Sequence, residues 1–278
     1  MRWLLPVPAL ALLVSCASLP RVGSFPDTPL MWQFEVTGTF TTHAVDADGA
    51  PFALPSELVE STLSLKGLVS QTFARDFRDT STGTLVRFHQ VEMAESPEGP
   101  WRRSELSDRS VEMRTFESEI LDIYEVSHLA GAPRYGDVFD LLFPVISPVV
   151  PRVGRGEEAW RRASWPFKLQ RGQDIRTTMT ATWRNEGFEG TDQGRTVTVS
   201  YDGVLEGRGQ DIQHTAQLTL TGAVDGEVRL RTSDAAMVAH RFDWTRTVEM
   251  RFGDGGGVLT QDQHFVGRVS LADGEVPP

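Results

Sequence analysis

Cysteine is almost missing from this chain. Among 278 residues there is one, Cys16, which excludes a disulfide framework and a cysteine-built metal cluster and leaves no second thiol nucleophile. Lysine is nearly as scarce, with Lys66 and Lys168 the only two among 27 basic residues. Arginine, planar and weakly hydrated, is therefore the cation available for ion pairs on strand surfaces. Positive charge is in deficit altogether. With 38 acidic residues the net charge is −11. An acidic surface repels nucleic acid and anionic headgroups, so neither is expected as a bulk partner. Long apolar runs are missing too. The run from Trp3 to Val14 covers about 12 residues, the length of a signal h-region and too short to cross a bilayer as a helix.

The signatures of common enzyme chemistries are equally absent. The six histidines, His43, His89, His128, His214, His240 and His264, include no pair at helical i, i+4 spacing and no His-Glu-x-x-His, so no metal site is expected. No Gly-x-Ser-x-Gly elbow occurs. The glycine-rich stretch at 253–257 lacks the lysine of a phosphate loop, and Asp254 alone does not make a calcium repeat. Neither a cofactor nor an enzyme activity is expected. One route to catalysis stays open: carboxylates brought together from separate strands, as in glycoside hydrolysis. The acidic residues are too many for the sequence to single out a pair.

What is present begins at the N-terminus. Arg2 precedes the apolar run, which ends in Leu13-Val14-Ser15-Cys16. This layout resembles the type II signal peptide of bacterial lipoproteins. The resemblance implies that residues 1–15 are removed and that Cys16 is lipidated, so the chain meets the membrane through a lipid anchor. Ala17 after the cysteine implies delivery to the outer membrane, with the body facing the periplasm. The competing reading is an ordinary secretory signal cut after Ala17 or Ser18. Residues 16–30, with Pro20, Pro26 and Pro29, read as a tether.

Beyond the tether the pattern has a period of two. Trp32, Phe34, Val36 and Phe40 alternate with polar residues, which marks a half-buried strand. The same alternation returns at Ile175 to Trp183, at Val197 to Tyr201, at Ile212 to Leu220 and, longest of all, at Val238 to Phe252. Turn signals separate these runs: Asp48-Gly49, Ser81-Thr82-Gly83, Asp202-Gly203, Asp225-Gly226 and the glycines after Asp254. Short hairpins make antiparallel sheet, and a threonine-rich face is the solvated side such sheets allow. Helix signals are few. Ser56 to Glu60 has room for one or two turns, and Asp137 caps a short helix that Pro144 ends. The stretch from Phe143 to Pro151 is apolar but broken by prolines, so it is no regular helix or central strand.

The expectation is an all-β protein of antiparallel sheets, a two-lobed sandwich or half-barrel with a short helix and a Pro-rich connector in its middle. The N-terminal β lobe spans 31–136, the connector 137–159 and the C-terminal β lobe 160–278. One feature breaks the local rule. His240 and Arg246 share the parity of Val238, Phe242, Trp244 and Val248, and His214 shares the apolar face of its own strand. Inward polar groups are costly unless paired or wet. Two readings stay open. A bulge or a strand end takes these side chains to water, or they line an apolar cavity and orient an amphiphilic ligand. A ligand site there would use His214, His240, Trp244 and Arg246. The function expected is that of a tethered, non-enzymatic envelope lipoprotein binding an apolar, lipid-like ligand or a protein partner. The alternatives are a structural or assembly lipoprotein of the envelope and an envelope hydrolase with dispersed carboxylates.

Overall fold

The computed structural model describes residues 30–75, 82–116, 119–125, 158–167, 173–191, 194–211, 215–233, 236–253 and 256–272. The Asp137 helix, the 143–151 connector, Cys16 and His214 lie outside these residues. Twelve strands and one helical turn follow in chain order. They are β1 (Leu30–Val45), α1 (Ser56–Val59), β2 (Glu60–Arg75), β3 (Thr82–Ala94), β4 (Arg102–Arg103), β5 (Ser110–Phe116) and β6 (Glu119–Glu125). The remainder are β7 (Glu158–Phe167), β8 (Gln173–Thr191), β9 (Gly194–Asp211), β10 (Ala216–Arg231), β11 (Met237–Phe252) and β12 (Val258–Leu271). The protein is all-β, as the alternation predicts, and Ser56 to Val59 supplies the one turn of helix expected after Pro55.

All twelve strands belong to one sheet. From β7 the neighbours run β8, β9, β10, β11, β12, then back to β1, and on through β2 and β3 to β5 and β6, with β4 also set against β3. Every ladder is antiparallel except the contact of β6 with β7, a single parallel pair of Glu119 with Ser164. The sheet therefore curls until its two end strands meet at one residue pair, without a laddered closure. The sequence leaves open whether there is one extended half-barrel or two sandwiches; the pairings show one continuous curled sheet. The first and last strands are neighbours, Trp32 opposite Leu271 and Val45 opposite Val258. Both ends of the described chain thus sit on one rim, where Ala272 N–H donates to the Met31 carbonyl at 2.9 Å.

Alternation fixes which face is which. Along β10 the side chains of Ala216, Leu218, Leu220, Val224, Val228 and Leu230 are buried, and those between them are exposed or half-buried. The same holds along β1, β8, β9, β11 and β12, so the inner wall is apolar and forms one core from Trp32 to Val269. Registers align these residues into belts. One belt reads Trp183, Tyr201, Gly226, Phe242, Gly267, Val36 and Leu65 across seven neighbouring strands. Its glycines are where rings lie flat across the next strand. A Cβ on Gly267 would stand 2.3 Å from Phe242 Cζ, and one on Gly226 2.5 Å from Tyr201 Cζ. Large and small residues alternate so that each ring fits against the strand beside it.

Candidate functional site

Two groups of inward polar side chains stand at different levels of this wall. At the first, Tyr201 is the hub. Its hydroxyl accepts from Trp244 Nε1 at 3.1 Å and lies 2.9 Å from His240 Nε2. With Tyr201 Oη already accepting from Trp244, its own proton goes to His240 Nε2, which places the imidazole proton on Nδ1. Burial pushes the Tyr201 hydroxyl far above the ordinary phenol range, against the smaller opposing effect of its bond from Trp244. It is a neutral hydrogen-bonding group at any pH the protein meets. Rings complete the level, with Trp183 against Tyr201 at 4.5 Å and His240 against Phe242 at 5.2 Å between centroids.

At the second level Arg246, 7 % exposed, extends over the Phe265 ring at 4.6 Å, and its Nε donates to Gln263 Oε1. Gln263 Nε2 donates to Gln261 Oε1 at 2.5 Å, and Gln261 Nε2 to Thr42 Oγ1 at 3.2 Å. A guanidinium stacked on an aromatic face keeps its stem in apolar surroundings while its nitrogens find oxygen acceptors.

Three of the four sequence-predicted residues, His240, Trp244 and Arg246, are thus inward and buried. No bulge intervenes: the β10–β11 register runs unbroken from Ala216–Phe252 to Arg229–Ala239. The parity read from sequence is the true one, and the bulge and strand-end readings fail for His240 and Arg246. His240 and Trp244 meet through Tyr201, whereas Arg246 belongs to the separate glutamine level. Tyr201 and Gln263 are the residues that sequence reasoning missed. Tyr201 counted as apolar in its run, and Gln263 gave no signal until β12 was known to lie beside β11.

The outer wall is different in kind. Its shallow trough of about 440 Å³ is lined among others by Thr39, Thr221, Thr245, Asp262 and His264. These groups already serve one another, Thr247 donating to Asp262 at 2.6 Å and His264 Nε2 lying 2.7 Å from Asp243. Among the described residues no group of three histidine, cysteine or acidic side chains could hold a metal ion, and no helix is long and apolar enough to cross a membrane.

No family model matches this chain, and no curated protein does. Among solved structures it is similar to an outer membrane channel from Pseudomonas putida F1, at TM-score 0.22 and 11% identity over 89% of this chain and 97% of that one. Pseudomonas aeruginosa OccK5 (OpdH) gives 0.24 and 6%, over 89% and 99%. Acinetobacter baumannii OccAB4 gives 0.21 and 6%, over the same shares. Likenesses this slight carry no argument. The walls also differ in polarity from what lipid requires. A membrane-crossing barrel turns an apolar band outward and polar residues inward, whereas here Glu35, Asp243, Asp262 and Arg268 are outward and Phe34, Phe242 and Trp244 inward.

Proposed function

We propose that this is a lipid-tethered protein of the bacterial cell envelope that holds an apolar, lipid-like ligand within its curled sheet. The observation that carries the reading is the inner wall itself. It is continuous and largely apolar, and among its inward polar side chains two bonded groups stand out: Tyr201, His240 and Trp244 in one, Arg246 and Gln263 in the other. Ligand sites have this composition, with much apolar surface and a few placed polar groups to set orientation.

The tether fits the same reading. Cys16, with the lipobox layout before it, lies 14 positions ahead of Leu30. An extended chain of that length reaches roughly 45–50 Å, enough to stand the body off a membrane. Leu30 begins on the rim that also carries the end of β12, so the body would hang by that rim and present the opposite one to the periplasm.

The test is extraction. Full-length protein purified from membranes in mild detergent, then extracted with organic solvent, should yield lipid in near-stoichiometric amount by mass spectrometry. Replacing Arg246 by Leu should abolish its retention. Absence of lipid from wild-type protein, together with no uptake of a fluorescent fatty acid, would leave a solid core and favour a structural envelope protein. Cys16→Ser should release the body to the soluble fraction with its fold intact; persistence in membranes sinks the tether.

A further inference from the structure

The β2–β3 ladder breaks once. Lys66 stands opposite Glu92 and Leu68 opposite His89, so Gly67 faces two residues, Gln90 and Val91. Gln90 has φ +46°, and a Cβ on Gly67 would lie 2.9 Å from the Val91 Cα. An extra residue in one strand reverses the faces beyond it. Val91 therefore joins the inner core, while His89, two positions earlier, is turned to the outer wall beside Ser70.

There the His89 Nε2 lies 2.9 Å from the Ser70 Oγ, each residue 6 % exposed. Past β4 the chain returns along β3. Asp108 N–H donates to the Phe88 carbonyl at 2.8 Å, Phe88 N–H to the Arg109 carbonyl at 2.8 Å, and buried Leu106 anchors the segment. Asp108 is held at φ +65°, and its charge acts on His89 in the direction that favours the protonated ring. Burial, with Arg87 assisting, outweighs it and keeps the imidazole below its ordinary value, so the ring is a free base at neutral pH. A hollow of about 530 Å³, lined in part by Arg103, Ser107, Asp108 and Arg109, opens beside this corner. Two residues in left-handed backbone and a ladder break thus surround one serine–histidine pair, the kind of local strain that collects at functional sites.

We propose that Ser70 is a nucleophile for acyl transfer from small carboxylic esters, with His89 as its general base. Ser70 Oγ bonds to the acyl carbon as its proton passes to His89 Nε2. The bond to the alcohol oxygen then breaks, and His89 returns the proton to that oxygen. Water, deprotonated by the same ring, releases the carboxylic acid and restores Ser70. This site is on the opposite face of the sheet from the ligand-holding wall, and neither reading depends on the other.

The test uses full-length protein and a fluorophosphonate probe, with hydrolysis of p-nitrophenyl butyrate alongside. The proposal expects one adduct, mapped by mass spectrometry to Ser70 and absent from Ser70→Ala. It expects hydrolysis to fall about 10²–10⁴-fold in His89→Ala. Wild-type protein that is folded by circular dichroism yet unlabelled at Ser70 overturns the proposal, whether or not the alanine variant folds. Equal labelling of Ser70→Ala overturns it as well.

Discussion

The two faces of β11 make the comparison from which the rest follows. Inward it presents His240, Phe242, Trp244, Arg246 and Val248, and outward Arg241, Asp243, Thr245 and Thr247. The residues alternate, share one backbone and differ only in which side of the sheet they meet. Inside, a polar group meets its partner away from water: Trp244 reaches Tyr201 two strands over, and Arg246 the facing Gln263. Outside, Asp243 meets His264 and Thr247 meets Asp262 across a single strand spacing, in water. One hydrogen bond is therefore worth different amounts on the two faces. Buried, its loss leaves a group that water cannot reach; exposed, its loss is largely made good by solvent.

The largest break in that comparison comes from the inner belt. Phe242→Ala removes a ring that lies across Gly267 and packs between His240 and Trp244. It should lower the unfolding free energy by about 3–5 kcal/mol, read from urea denaturation. Its outward neighbour Asp243→Ala should stay within about 0.5 kcal/mol. Equal effects would mean that the two faces are not distinct. Next in size, Tyr201→Phe keeps the ring over Gly226 and removes only the oxygen shared by Trp244 and His240. The expected loss is about 1–3 kcal/mol, with red-shifted or broadened tryptophan emission as Trp244 loses its acceptor. A variant as stable as wild type would show that the hydroxyl merely fills space.

Much of the inner wall was legible before any coordinates. Trp32 to Phe40 and Val238 to Phe252 alternate so strictly that strand and face follow from the period of two, while the inward placement of His240 and Arg246 needed the unbroken β10–β11 register to decide it. The outward threonines likewise read as a wet face. What could not be read is whatever depends on pairing between distant strands. Nothing near Trp32 announces that its neighbour is Leu271, and without that pairing Gln261 cannot be set beside Thr42. The glycines of the belt were invisible for the same reason. Asp225-Gly226 reads as a turn but lies inside β10, as Asp202-Gly203 lies inside β9, and Gly226 and Gly267 make sense only once a neighbouring strand brings a ring across each. The Ser70–His89 pair was hidden more deeply, because its geometry depends on one extra residue, Gln90, that no period reveals.

His89 is also where the comparison can be sharpened, being on the outer wall yet shielded. Burial and Arg87 set its folded affinity for a proton below its ordinary value of 6.5, with Asp108 opposing. Between the two values the unfolded chain binds more protons than the folded one. Stability is then full above 6.5 and is lost as pH falls through that window. In His89→Gln this part of the acid slope should vanish, measured as unfolding free energy from pH 7.5 down to the onset of general acid unfolding. Identical slopes in variant and wild type would show that His89 is as wet as the rest of its face.

The smallest effect belongs to the ordinary outer wall. Arg268 directs both its Nε, at 3.0 Å, and its Nη2, at 2.5 Å, onto the one Glu35 oxygen across the β1–β12 ladder. The geometry is good, but both side chains are well exposed. Water and salt therefore screen a pair whose two long side chains also lose rotamer freedom on holding it. Glu35→Gln should cost no more than about 1 kcal/mol at low ionic strength and nearly nothing at high salt. A double-mutant cycle with Arg268→Gln isolates the coupling from the effects of either change alone. If that coupling exceeded about 2 kcal/mol and survived salt, the pair would behave as buried groups do. The division of labour between the walls would then fail at the ladder that joins the two ends of the chain.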